Sequence, residues 1–292
     1  MRITFYGVRG STASPGPDTI KYGGNTSCVY VELESGKHLI LDAGTGIRKL
    51  GQVLALKKDD PIYILLSHGH WDHIQGYPFF IPIYQPDRRI RVMTPDPLGH
   101  GQLCSLFDQM DGSSFPIAAN DLLSDGECIN ENVVDYLKKE QVQVERKELN
   151  HPGGGVAHRI EEDGVSVAYV TDNELEPPGK VHTSYDEWVD FCSGVDVLIH
   201  DAQYTEADMP NKHGWGHSLM SQVRQLAIDS EVGSLVMFHH DPDRSDVQLD
   251  EIQRENDRFF KGKSSPARSY CAWEGCELRV TRQSTGTLIQ NN

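Results

Sequence analysis

The chain has 292 residues, of which 38% are hydrophobic and 24% are charged. This composition is ordinary for a globular protein with a buried core, and it excludes a collagen, a coiled coil and a wholly disordered chain. The 27 basic and 43 acidic residues give a formal charge of −16, which disfavours a long RNA or DNA partner because phosphate backbones are bound by lysine and arginine.

The N-terminal segment MRITFYGVRG has no basic start followed by an apolar run, so we predict no signal peptide and a cytoplasmic location. Residues 2–8 predict a strand, and residues 9–27 predict a loop rich in glycine, serine and proline. No stretch approaches about 18 consecutive apolar residues, which predicts that the chain has no membrane span. The cysteines are scattered and none forms a C-x-x-C pair, which predicts reduced thiols and no structural zinc site.

Strand and helix patterns then alternate along the chain. The runs 28–34 and 38–42 predict a hairpin that turns at Ser35-Gly36, and a helix is predicted over 47–55. The continuous apolar run 61–66 is typical of a buried strand. Further strands are predicted at 90–94, 142–149, 165–171, 195–200, 235–238 and near 278–281, and further helices near 101–110, from Ser184, around 219–226 and from Ser245.

The order of these elements predicts the fold class. Strands come first without helices and later alternate with helices, which predicts an α/β protein with two mixed β-sheets and flanking helices, an αββα sandwich. No repeat and no linker rich in proline, glycine or serine divides the chain, so we predict a single domain over residues 1–292. The mixed pattern of residues 97–140 predicts a lid or insertion.

Three histidines and an aspartate lie directly after the predicted strand 61–66, where the sequence reads H-G-H-W-D-H over 68–73. Imidazole and carboxylate are common ligands of zinc. On a short loop that leaves a strand, His68 and His70 can turn to one side, while Asp72 and His73 enclose a second point. The motif therefore predicts two neighbouring metal sites.

More residues of ligand type follow other predicted strands. His151 follows the strand 142–149, Asp172 follows 165–171, and His239 follows 235–238. Because strand ends converge on one rim of a sheet sandwich, we expect these side chains to meet the first cluster. Residue 240 is also a histidine, and we favour His239 because it lies nearer to the strand.

This set of motifs resembles that of the metallo-β-lactamase fold superfamily over nearly the whole chain. The resemblance implies two divalent metal ions per chain. Redox-active di-iron members carry glutamate where His70 stands, so the resemblance implies Zn²⁺, with Mn²⁺ as the alternative. Lactamases carry cysteine where Asp172 stands, so the resemblance implies a phosphodiesterase or thioesterase branch instead. It implies that His68, His70 and His151 hold one ion, that Asp72, His73 and His239 hold the other, and that Asp172 bridges both.

A second motif, Gly216-His217-Ser218, resembles that of the tRNase Z-like phosphodiesterases. In that group the histidine acts at the scissile phosphate and an acidic residue orients it, which implies that His217 is a general acid or a phosphate contact and that Asp201 is its orienting partner. Asp72 is expected to accept the proton of the attacking water. The segments 22–28 and 239–242 resemble a bacterial subgroup that includes cyclic-nucleotide phosphodiesterases.

Together these features predict a binuclear metal-dependent phosphodiesterase that hydrolyses a small anionic substrate, a cyclic nucleotide. The bound metal ions would supply the positive charge that the acidic chain lacks. A thioester or lactone hydrolase is the alternative, a tRNA or DNA nuclease comes third because we find no insertion rich in lysine and arginine, and a non-enzymatic metal or nucleotide sensor comes last. The resemblance also implies a homodimer.

Four further residues carry weaker expectations. His158 is expected to be exposed, and His200 is expected to face the interior from a strand end. Asn25 is interpreted as an ordinary turn residue. Trp215 is a candidate wall of the substrate site, since aromatic faces stack on bases.

Overall fold

The computed structural model describes residues 1–57, 60–95, 105–129, 132–281 and 284–289. Within these ranges the strands form two sheets, and the main helices pack on the outer faces of both. The strands are β1 (Arg2–Gly7), β2 (Cys28–Glu32), β3 (His38–Leu41), β4 (Ile62–Leu65), β5 (Arg89–Met93), β6 (Asp125–Ile129), β7 (Gln143–Glu148), β8 (Val156–Glu162), β9 (Val165–Val170), β10 (Val197–Asp201), β11 (Ser234–Phe238), β12 (Arg268–Cys271), β13 (Glu277–Thr281) and β14 (Ser284–Ile289). The helices are α1 (Ile47–Leu54), α2 (Trp71–Ile74), α3 (Ser105–Asp108), α4 (Val133–Lys139), α5 (Tyr185–Cys192), α6 (Met220–Asp229) and α7 (Asp246–Gly262).

Both sheets mix parallel and antiparallel strands, as predicted. The larger sheet has the order β14-β13-β1-β2-β3-β4-β5-β6, and the smaller has the order β12-β11-β10-β9-β8-β7. In the larger sheet the strands from β3 to β6 are parallel, and in the smaller sheet those from β9 to β12 are parallel. No described helix is long and apolar enough to cross a membrane.

Three apolar clusters hold the layers together. Strand β10 shows the alternation that separates them: Val197 and Ile199 lie in the cluster between the sheets, and Leu198 lies in the cluster under α5, α6 and α7. Phe5 of the larger sheet packs on Phe238 of the smaller sheet, with ring centroids 6.1 Å apart. A third cluster covers the other face of the larger sheet beneath α1. The layer order is helix, sheet, sheet, helix, which confirms the αββα sandwich.

The two helices that were predicted to begin at a serine each carry a complete capping box. Ser184 begins α5 with Glu187, and Ser245 begins α7 with Gln248. In each box the hydroxyl accepts from the amide three residues on, and that residue's side chain accepts from the amide of the cap. These local hydrogen bonds fix the first turn and explain why the starts were predictable.

Several elements were not predicted, and the reasons are local. Strand β8 reads V-A-H-R-I-E-E, so polar residues break its apolar alternation, and His158 within it is fully buried, which makes the expectation of exposure wrong. Strand β6 and α4 lie in the mixed segment 97–140. The helix predicted near 101–110 is present as α3, and residues 101–104 lie outside the described residues. The single domain and the lid stay predictions.

The cysteines only partly follow the prediction of reduced thiols. Cys128 is disulfide-bonded, which contradicts that prediction, and Cys104 lies outside the described residues. Burial raises the pKa of Cys192 and of Cys271 to about 12, so both stay protonated and unreactive. The buried free thiols are Cys28, Cys192, Cys271 and Cys276.

Strand β12 lies at one edge of the smaller sheet, where a helix side chain covers it. Gln253 of α7 accepts from the amide of Cys271 at 2.7 Å through Oε1. Its Nε2 donates to the carbonyl of Ser269 at 2.9 Å. One side chain therefore satisfies an edge donor and an edge acceptor that would otherwise be open.

Candidate metal centre

Residues that follow the ends of several strands meet at one rim of the sandwich. Asp42 follows β3, Asp172 comes two residues after β9, and His239 follows β11. All three have left-handed backbones, with φ of 62°, 51° and 57°. This conformation is uncommon for residues other than glycine and occurs often at functional sites. The same backbone geometry thus recurs where three strands deliver polar side chains to the rim.

The first donor set contains three imidazoles and one carboxylate. The ligand-type atoms of His68, His70, His151 and Asp172 all lie within 4.8 Å of one another. His70 Nδ1 is 3.1 Å from His151 Nε2. Asp172 Oδ2 is 3.6 Å from His68 Nε2 and 3.7 Å from His151 Nε2.

The second donor set shares Asp172 with the first. It contains Asp72, His73, Asp172 and His239, again with all ligand-type atoms within 4.8 Å. His239 Nε2 lies 3.1 Å from Asp72 Oδ2 and 3.1 Å from Asp172 Oδ1. Asp172 therefore faces the first set through Oδ2 and the second through Oδ1, as a bridging carboxylate would.

The buried charges of this cluster fit bound cations. Burial disfavours the charged carboxylate of Asp172, but the imidazoles of His239, His73 and His68 outweigh it and hold its pKa well below the usual range. Burial lowers the pKa of His68 and keeps its ring neutral, the form that binds metals. His68 Nε2 is buried within the first set and has no hydrogen-bond partner. A divalent cation would occupy such an atom and offset the carboxylates.

The remaining ring nitrogens of four histidines are held from outside the cluster, an arrangement that fixes the tautomer and ring orientation of metal ligands. In each case Nδ1 is engaged, which leaves Nε2 for the centre. The partners are Ser67 Oγ for His68 at 3.0 Å, Asp42 Oδ2 for His73 at 2.8 Å, the Gly216 carbonyl for His151 at 3.0 Å and Gln203 Oε1 for His239 at 2.8 Å.

Asp42 connects the two sheets at the base of the site. Its carboxylate accepts from the amide and the hydroxyl of Ser67, both at 2.7 Å, and from Tyr169 Oη at 2.8 Å. The same carboxylate contacts His73 Nδ1. Asp42 was not singled out from the sequence, because it was included in the predicted strand 38–42, whereas β3 ends at Leu41 and Asp42 directly follows it.

The structure separates His239 from its neighbour His240. His239 lies in the second donor set, whereas His240 turns away and its Nε2 donates to the carbonyl of Ala272 at 2.8 Å. The preference for His239 therefore agrees with the geometry. Asn25 belongs to neither donor set, and its side-chain amide donates to the carboxylate of Glu274 at 2.9 Å.

His217 and Asp201 form a buried pair beside the second donor set. His217 Nδ1 lies 2.6 Å from Asp201 Oδ2, and its ring centroid is 5.0 Å from that of His239. Burial acts to lower the pKa of His217, but the carboxylate of Asp201 outweighs it and raises the pKa to about 9. All predicted site residues therefore meet at this rim. His200, predicted to be structural, is buried with Nδ1 2.6 Å from the carbonyl oxygen of Asp201.

Residues 37–240 match the family model described as the beta-lactamase superfamily domain. The chain belongs to the metallo-β-lactamase superfamily. The ribonuclease Z of Natronomonas pharaonis is 25% identical to it, over 90% of this chain and 94% of the relative. The structure of human tRNase Z, short form, aligns with a TM-score of 0.62 at 20% identity and covers 96% of this chain and 100% of its own. The structure of a diphosphatase from the PhnP family aligns with a TM-score of 0.64 at 18% identity, and the alignment covers 95% of this chain and 97% of the diphosphatase.

Membership of this superfamily and the similarity to tRNase Z proteins confirm the predicted family and branch. The chain is a metal-dependent hydrolase, and its paired donor sets suggest a binuclear divalent site. Sequence reasoning missed the residues that hold the histidines of the two donor sets from outside. Gln203 lies two residues after Asp201, but a single glutamine carries no pattern that would reveal its contact with His239.

Proposed function

We propose that this superfamily member hydrolyses a small phosphodiester, with a cyclic nucleotide as the first candidate. The observation that carries the proposal is the His217–Asp201 pair, at 2.6 Å, beside two donor sets that share Asp172. A departing alkoxide needs a proton, and a buried imidazole kept protonated by a carboxylate can donate one. Thioesters have better leaving groups and need this donor less.

The side chains have separate roles in this reaction. His68, His70 and His151 would hold one divalent ion, Asp72, His73 and His239 the other, and Asp172 both. Two such ions lower the pKa of a bound water and polarise the phosphoryl oxygens. Asp72 would accept the proton of the attacking water, and His217 would donate one to the departing oxygen. Zn²⁺ is the first candidate metal and Mn²⁺ the second.

The choice between a small substrate and RNA rests on two opposing observations. The formal charge of −16 opposes binding of a long polyanion. The similarity to a ribonuclease Z favours RNA, which makes a ribonuclease the second candidate function. A small substrate is preferred because it presents one phosphate to the site and avoids repulsion by the rest of the acidic surface.

A substrate panel tests the proposal. Purified protein loaded with Zn²⁺ or Mn²⁺ is offered 3′,5′- and 2′,3′-cyclic nucleotides, bis-p-nitrophenyl phosphate, a thioester and a structured tRNA. We expect turnover of the phosphodiesters, the largest kcat/KM on a cyclic nucleotide, and no measurable tRNA binding at physiological salt. Tight, salt-dependent tRNA binding with cleavage would establish the ribonuclease instead, and turnover of the thioester alone would reject both.

We also propose that the protein is a homodimer. Support comes from three large apolar side chains that are exposed within residues 71–81, namely 70% at Trp71, 56% at Phe79 and 40% at Ile81. Exposed apolar patches often mark interfaces. Sedimentation equilibrium should give twice the chain mass of 32.7 kDa, and a single-chain mass at every concentration would reject the dimer.

A further inference from the structure

We propose that Glu174 is a positioning residue, whose buried carboxylate fixes the loop that carries Gly216 and His217. The inference rests on the proposed function, because the two side chains that it would position are the metal ligand His151 and the general acid His217. Glu174 belongs to neither donor set and takes no part in the reaction outlined above.

The carboxylate of Glu174 accepts two hydrogen bonds from the backbone of one loop. Oε1 accepts from the amide of Gly214 at 2.9 Å, and Oε2 accepts from the amide of Gly216 at 3.0 Å. Glu174 is only 4% exposed, and hydrogen bonds to a buried carboxylate are stronger than those between neutral groups. Both glycines have left-handed backbones, with φ of 86° and 89°. Glu174 thus holds a conformation that the loop could otherwise leave.

The first consequence concerns His151. The carbonyl of Gly216, whose amide Glu174 holds, accepts from His151 Nδ1 at 3.0 Å. The amide of Glu174 itself donates to the carbonyl of Asn150 at 3.0 Å, directly before His151. Glu174 therefore fixes both the backbone that precedes this ligand and the acceptor that orients its ring. Such outer contacts leave Nε2 free for the metal.

The second consequence concerns His217, which lies between two anchored residues. Gly216 before it is held by Glu174. Ser218 after it donates through Oγ to the carbonyl of Asn173 at 2.6 Å and accepts from the amide of Leu175 at 3.2 Å. The segment 173–175 therefore holds the backbone on both sides of the general acid. A ring held in this way is placed for proton transfer before substrate arrives.

The isosteric variant Glu174→Gln tests the inference, because its amide nitrogen must face one of the two loop amides, donor against donor. Titration with Zn²⁺ against a competing chelator should show one binding constant about ten- to hundredfold weaker and the other unchanged, the scale of lost outer contacts. In kinetics, kcat should fall with KM unchanged, and more steeply on poor leaving groups than on p-nitrophenyl esters.

Glu176→Gln is the matched control. Glu176 lies two residues on, is exposed, and lines the same cavity of about 180 Å³ beside His217, but its carboxylate makes neither loop hydrogen bond. It should bind Zn²⁺ as the wild type does. Unchanged binding constants and unchanged kcat in folded Glu174→Gln would overturn the inference.

A measurement on the wild-type chain covers the case in which Glu174→Gln does not fold. The amides of Gly214 and Gly216 should exchange slowly with solvent deuterium in the metal-free protein, because both donate to a buried carboxylate. Exchange as fast as in an open loop would overturn the positioning role. Failure of the wild type to bind any Zn²⁺ would instead reject the proposed function and leave the exchange result to decide on Glu174.

Discussion

His217 is hydrogen-bonded to Asp201 and belongs to neither of the two donor sets to which we assign a metal ion. Both residues also form a ligand-type group with Asp172 and His239, all within 4.8 Å, so experiment must separate proton transfer from metal binding. We expect His217→Ala to keep both metal ions while kcat falls at least about a hundredfold, the scale of lost proton transfer. The loss should be smaller on a p-nitrophenyl ester, whose leaving group needs no proton. Equal losses on both substrates would make His217 a phosphate-positioning residue, and loss of metal would return it to the ligand set.

Asp172 is the one residue that both donor sets share. We expect wild-type protein to hold about two metal ions per chain and Asp172→Ala to lose the binuclear centre and the activity. The metal-free variant should still fold, because the side chain lies at a strand end and not among the apolar clusters. Elemental analysis is the check, and fully active wild-type protein with one ion or none would contradict the binuclear centre.

Gly216 has no room for a side chain. A Cβ at this position would lie 2.1 Å from His151 Nδ1, and its φ of 89° also disfavours other residues. Gly216→Ala should therefore weaken Zn²⁺ binding. Gly36→Ala is the control, since Gly36 has a similar φ of 85° but no neighbouring atom within 4 Å of the point where a Cβ would lie. Both variants should lose about 1–3 kcal/mol of stability to backbone strain, and only Gly216→Ala should lose metal affinity.

The strands could be predicted from the sequence where their residues form a clear hydrophobic pattern. The strands before His68, Asp172 and His239 are mostly apolar and fully buried, so both the strands and the positions of the residues that follow them were predictable. Strand β8 was missed because His158 and Arg159 interrupt its alternation, although tertiary packing buries it.

The parts of the site that escaped sequence reasoning are contacts between distant segments. Asp42 and Gln203 each contact a histidine ring of the second donor set that lies at least 31 residues away along the chain. No sequence pattern around either residue predicts its contact, because only the folded chain brings the two segments together. The histidines of the two donor sets, in contrast, were apparent from the sequence, as the dense motif at 68–73 and as single residues after other predicted strands.

At the scale of the whole molecule, a buried neutral histidine should make stability depend on pH. Burial lowers the pKa of His158 to about 3, below its usual value of about 6.5 in an unfolded chain. Below about pH 6.5 the unfolded state takes up a proton that the folded state refuses, so stability falls as the pH drops towards 3. The free energy of unfolding should therefore decrease by up to about 1.4 kcal/mol for each pH unit in this range.

The variant His158→Gln checks this slope. Glutamine retains a donor for the carbonyl of Leu66, which His158 Nε2 contacts at 3.1 Å, but it does not titrate. Urea unfolding of the metal-free protein between pH 6 and pH 4 should give a shallower loss of unfolding free energy in the variant. Parallel curves for the two proteins would show that His158 is not responsible.

The hydrogen bonds of Gln253 along β12 bear on how these molecules behave when crowded. A peptide that approached this edge would have to expel the amide before it could continue the ladder, so the helix itself blocks intermolecular sheet growth there. Gln253→Ala should expose the edge and raise the rate of seeded fibril or aggregate formation at high concentration, followed by light scattering. The side chain of Gln253 would thus prevent other chains from adding to the β12 edge, a role unrelated to hydrolysis.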